Sequence, residues 1–138
     1  MSAIIRGLIN CFFAYGSAYR AQTDLNNYYR QTIANNILRD NSVLKGKINK
    51  MVIIGKSPDS PIAKNTFKTY PFMSKIIDRV DGAASGIRLF RQYGLVLKHA
   101  PESDLRSTNL QINSRKQLID RPDYEITQQK EIIVVRFK

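Results

Sequence analysis

Cysteine is almost missing from this sequence: Cys11 is the only one in 138 residues, so no intrachain disulfide can form. Histidine is as scarce, and His99 with one cysteine gives no zinc-ligand spacing, so no metal site is expected. A Ser-His-Asp triad would have to use His99, which follows the strand-like Leu95-Val96-Leu97; a lone histidine there reads as a surface or packing residue. Glycine is absent where a phosphate-cradling Walker loop would need it. The segment Lys56-Ser57-Pro58-Asp59-Ser60-Pro61 has a lysine and two serines but no glycines, so neither nucleotide nor other cofactor is indicated. No internal repeat or low-complexity tract is present. Acidic residues are few, 11 against 22 lysines and arginines, which leaves a formal charge of +11. Such a balance favours anionic partners: nucleic acid, acidic lipid head groups or phosphorylated substrates. The basic residues are scattered, with no run longer than Arg115-Lys116, and no helix-turn-helix, zinc finger or aromatic-basic RNA signature stands out. Sequence-specific nucleic-acid binding is therefore disfavoured.

What is there is enough for a core: 43% of the residues are hydrophobic, and one domain is the natural count for this length. The chain is organised around residues 51–61. Met51-Val52-Ile53-Ile54 is a short β-branched run suited to a strand covered on both faces. Gly55 and the prolines at 58 and 61 then turn the chain out of the sheet. In open α/β sheets ligands sit where such loops leave strand ends, which directs attention to Lys56 and Ser57. The competing reading is a solvated turn stiffened by two prolines.

Residues 2–19 are mostly apolar but interrupted by Arg6 and Asn10, short of the ~20 apolar residues of a membrane span. They read as a weak signal peptide, the apolar start of a soluble helix, or the end of a transmembrane helix with Tyr15 and Tyr19 at the interface. Over 14–39 the spacing of Ala18, Ala21, Leu25, Ile33 and Ile37 predicts a long helix, with Arg20, Gln22, Asn26, Asn27, Arg30 and Asn35 on its opposite face. No proline occurs before Pro58 to break it. Tyr28-Tyr29 reads as core and rim packing.

Downstream, 62–67 fits a helical turn and 70–77 a proline-started short helix or strand edge. Residues 83–93 read as a second helix with Arg88 and Arg91 exposed, Gly94 as its C-cap and 95–98 as a strand, a βαβ-like order. Residues 102–121 are polar and ambiguous. A terminal hairpin over 124–137 turns around residues 128–130.

As a set, several stretches are familiar. Phe13-Ala14-Tyr15-Gly16-Ser17-Ala18-Tyr19-Arg20-Ala21-Gln22 runs into the long helix. Ile53-Ile54-Gly55-Lys56-Ser57-Pro58, Tyr70-Pro71-Phe72, Leu89-Phe90-Arg91-Gln92-Tyr93-Gly94 and a valine-rich last strand follow. Together, and in order over essentially the whole chain, they resemble the C-terminal region of the polytopic O-antigen glucosyltransferases, the serotype-converting, phage-type enzymes of enteric bacteria. The resemblance implies an inner-membrane protein that moves glucose from polyprenyl-phosphate-glucose to O-antigen on the periplasmic side. It implies that residues 1–19 are the end of the last span, or an apolar lead-in, and that 20–138 form a soluble periplasmic domain. The family's acidic catalytic residues lie in its membrane portion. No catalytic residue is carried over to this chain, which is expected to transfer no sugar alone; Asp59, Asp78 and Glu102 show no acid–base pairing.

The expectation is an α/β fold, a long N-terminal helix packed on a small mixed β-sheet with one or two further helices. The expected partners are the membrane portion of the glucosyltransferase, O-antigen saccharide or polyprenyl-phosphate-glucose, and the lipid membrane. Candidate substrate-binding residues are Lys56, Ser57, Arg88 and Arg91, with Lys130 outlying, as hydrogen-bond donors to phosphate or sugar hydroxyls. The alternative is a non-enzymatic basic adaptor for anionic membrane or nucleic acid, which salt would release steeply.

Overall fold

The structure is a computed structural model and describes residues 2–39, 49–100, 116–129 and 131–138. It is mixed α/β, with a long N-terminal helix, further short helices and a five-stranded mixed sheet. Two compact units emerge: Met1–Tyr29 with Pro58–Arg79, and Arg30–Ser57 with Val80–Lys138.

Helix α1 runs unbroken over Ala3–Leu38, with residues in both units. Ser2 starts it, its hydroxyl oxygen accepting from Ile5 N at 3.3 Å, the bond that an N-cap supplies. The apolar lead-in is thus nearly the first half of the same helix that periodicity predicted from residue 14. At 36 residues its length is about 54 Å. Among the described residues no helix is long and apolar enough to cross a membrane.

In the first unit, Ala18 of α1 packs with Ala63, Met73 and Ile77, and Cys11, Tyr15, Phe67 and Tyr70 lie around them. Helix α2 (Pro61–Thr69) begins where the loop chemistry directs it. Ser60 Oγ accepts from Ala63 N at 3.1 Å, and Pro61 takes the first helical position, where its missing N–H is not needed. The proline-started run that follows forms a 3₁₀ helix, Pro71–Lys75. The polar face of α1 corrects the sequence reading, because Gln22, Asn26 and Arg30 are buried. Gln22 Oε1 accepts from Ser60 N at 2.8 Å, while its Nε2 donates to Asn26 Oδ1 at 2.9 Å and to Pro58 O at 3.3 Å. Asn26 Nδ2 donates to Asp78 O at 2.8 Å. These amides satisfy loop backbone that would otherwise be stranded away from water, and so a polar stripe faces inward. Tyr29 is buried and Tyr28 exposed, the core-and-rim arrangement expected.

The second unit holds the sheet, in the order β2-β1-β5-β4-β3. Strand β1 (Lys50–Ile54) pairs in parallel with β2 (Lys98–His99) and with β5 (Ile132–Phe137); β4 (Tyr124–Gln129) is antiparallel to β5 and to β3 (Lys116–Asp120). The central strands β1 and β5 each bury three consecutive residues, because both of their faces are covered. Val52, Val134 and Ala100 cluster on one face. On the other, Met51 and Ile53 stand beside Ile133 and Val135, and Asn36 of α1 donates from Nδ2 to Tyr124 Oη at 3.2 Å. Buried Ile33 and Ile37 belong to that same stretch of α1.

The predicted second helix is shorter than expected: α3 covers Ala84–Arg88 and continues as a 3₁₀ helix, Leu89–Tyr93. Gly94 caps it in the left-handed region (φ 83°), as its position predicted, and Leu95 N donates back to Phe90 O at 3.3 Å. The strand expected over 95–98 is corrected. Leu95 closes the helix end, Val96 is exposed, and pairing with β1 begins only at Lys98, whose N donates to Asn49 O at 2.9 Å.

Candidate functional site

Two clefts adjoin in the second unit, and His99 lines both. The first, about 370 Å³, is bounded by Asn49, Ile87, Arg88, Arg91, Val96, Leu97, Lys98 and His99. Arg88 ends α3 and Arg91 lies one turn later, so a three-residue step brings both guanidinium groups to one side. Lys98 and His99 arrive from β2, the edge strand. Among the described residues the lining carries cations and apolar walls and no carboxylate. Such a surface suits a phosphate or another polyoxygenated group, since guanidinium forks donate in pairs to oxyanions and the apolar walls lower the local dielectric.

The second cleft, about 430 Å³, opens at the C-terminal end of β1, between Val52–Lys56, Asp81–Ala83 and His99–Ala100. Its shape depends on backbone approach. Gly55 has φ 81°, and Gly82 passes so close to β1 that a Cβ there would lie 2.6 Å from Ile53 O. Asp81 Oδ1 accepts from Ala83 N at 2.9 Å and fixes this turn. His99 Nε2 lies 3.0 Å from Gly82 O, and because a carbonyl only accepts, Nε2 carries the hydrogen and donates. The imidazole therefore ties the edge strand to the turn beneath the second cleft.

Of the residues singled out from sequence, Arg88 and Arg91 come together in the first cleft, and Lys56 lines the second. Ser57 is not at the surface. It is fully buried, its Oγ accepts from Val80 N at 2.9 Å and its N donates to Val80 O at 2.9 Å, a clamp between two loops. Lys130 lies outside the described residues, as does Glu102. Sequence reasoning missed Asn49, Lys98 and the joining role of His99. No sequence signal marked the last, because Gly82 lies 17 residues before His99 with a helix between them. Among the described residues no cluster of side chains could hold a metal ion. Asp81 is the one carboxylate among the described residues lining either cleft, so these residues offer binding groups and no acid–base pair. No protein-family model, curated protein or solved structure matches the chain.

Proposed function

We propose that this chain serves as the periplasmic C-terminal domain of an inner-membrane O-antigen glucosyltransferase, and that its first cleft positions a phosphate- or hydroxyl-bearing part of donor or acceptor. The observation that carries the binding part is the convergence of Arg88, Arg91 and Lys98 on one cleft whose described lining holds no carboxylate. The assignment to that enzyme class rests on the ordered sequence resemblance. Lys56 extends the basic lining into the second cleft, and Ser57 supports the loop that carries it. In this reading the domain holds substrate and the bond-making groups belong to the membrane portion.

The sole histidine is a built-in reporter, because its ring signals sit at the junction of both clefts. Titrating the chain with a short-chain polyprenyl-phosphate-glucose and, separately, with O-antigen oligosaccharide should move the His99 resonances. Arg88→Ala with Arg91→Ala should abolish the movement. Unmoved resonances with both ligands would exclude the positioning role. The net charge of +11 favours the adaptor reading as the alternative, and a response to any polyanion that vanishes at raised salt would select it.

A further inference from the structure

The first unit displays an apolar surface that its own core does not use. Along the start of α1, Ile4, Ile5, Leu8, Ile9, Phe12 and Phe13 are all exposed, Ile4 by 76%, Phe12 by 78% and Phe13 by 73%. At 3.6 residues per turn they cover about half of the helix circumference. The buried side, with Cys11, Tyr15 and Ala18, points into the unit's core. Arg6, Asn10 and Ser17 occupy the remaining arc. Phe72 of the 3₁₀ helix, itself exposed, joins Phe12 around a wholly apolar groove with Cys11, Tyr15 and Met73.

The charge nearest this surface in sequence is positive. Residues 2–23 and 60–77 contain Arg6, Arg20, Lys64, Lys68 and Lys75 and no aspartate or glutamate; the unit's three aspartates, Asp24, Asp59 and Asp78, lie beyond these stretches, and Asp59 is paired with Arg79. We propose that this face is a membrane-surface anchor: Ile4 to Phe13 of α1, with Phe72, insert into the headgroup–acyl boundary of an anionic phospholipid bilayer while the flanking arginines and lysines meet its phosphates. Aromatic and aliphatic side chains over a basic rim are the pattern of a helix lying in that interface. A second copy of the chain fits less well, since a symmetric contact would set the same cations against each other. A membrane-crossing pose, one of the two roles that the resemblance implies for residues 1–19, is opposed by the 3₁₀ helix packed beside Cys11 and Phe12, which would carry Ser74 and Lys75 into hydrocarbon; these residues then act as the apolar lead-in. This anchor is independent of the basic clefts.

The experiment exploits the absence of tryptophan. The Phe12→Trp chain is mixed with phosphatidylcholine vesicles, with and without phosphatidylglycerol. With phosphatidylglycerol the emission should shift to the blue and be quenched by lipids brominated near the carbonyl end of their chains. Phe12→Asp with Phe13→Asp should weaken vesicle cosedimentation at least about tenfold, the effect of withdrawing two aromatic rings from an apolar phase. Both sites are exposed, and circular dichroism verifies that the variant keeps its helix. Arg88→Ala with Arg91→Ala should bind vesicles as the parent does, so failure of the cleft reading leaves this result untouched. Equal binding by the double aspartate variant, equal binding to neutral vesicles, quenching strongest at the bilayer centre, or a dimer that forms in place of lipid binding would each overturn the anchor.

Discussion

Replacing Ser57 by alanine removes one oxygen and almost no volume from a site that admits no solvent. In the parent, the loop after β1 and the segment leading to Gly82 are joined by two bonds of 2.9 Å, Ser57 N to Val80 O and Val80 N to Ser57 Oγ. The first survives the substitution. The second is lost, and Val80, only 1% exposed, keeps a buried N–H deprived of that acceptor. A buried donor left in that condition costs about 1–3 kcal/mol. With a urea dependence of roughly 2 kcal/mol per molar for a small domain, a loss of about 2 kcal/mol moves the unfolding midpoint down by about 1 M. The His99 resonances report on the same unit, so urea titration followed by NMR measures the shift where it originates. Ligand affinity in the clefts, taken well below the midpoint, should be unchanged. A midpoint lowered by less than about 0.3 M together with weakened binding would refute the clamp and return Ser57 to the role of ligand contact.

Gln22→Leu should destabilise the first unit by about 2–4 kcal/mol, because Ser60 N, Pro58 O and Asn26 Oδ1 each lose a hydrogen bond at once; amide exchange at residues 60–64 would quicken first. Asp120 is held below the usual aspartate range by the hydrogen bond and the charge of Lys138. A depressed carboxyl adds stability above its ordinary titration range and loses it as pH falls through the folded value. Lys138→Met should therefore raise the Asp120 titration midpoint observed by NMR. Stability at neutral pH should fall only slightly, as expected for an ion pair open to solvent.

The central strands were legible because their physics is local. Four apolar residues ending in Gly55 specify a strand buried on two faces, and Tyr124–Gln129 followed closely by the apolar run at Ile132–Phe137 specifies a hairpin. Gly94 was legible too, since a left-handed cap favours glycine. Strand β3 was not. It is an edge strand with a register shift between Gln117 and Ile119, and a solvated edge needs no apolar signature. Strand β2 began later than hydrophobicity indicated, because the ladder offered by Asn49 and Met51 decides its start, not the apolar run at 95–97. The inward amides of α1 were hidden for a related reason, as their partners are backbone atoms of loops remote in sequence. Arg88 and Arg91 could be paired by helical spacing alone, whereas Lys98 and His99 reach the same cleft only through the crossover that sets β2 beside β1.

The position of β5 bears on how this chain must be made. It follows the other four described strands in sequence yet is a central one, hydrogen-bonded to β1 on one side and β4 on the other. While the ribosome is still working, β1 with β2 and β3 with β4 are two open ribbons, each with an unpaired apolar edge awaiting the same insertion. A stop codon just ahead of Ile132 would therefore remove no mere tail: it would divide the sheet and leave two sticky halves for the cell's quality control to destroy.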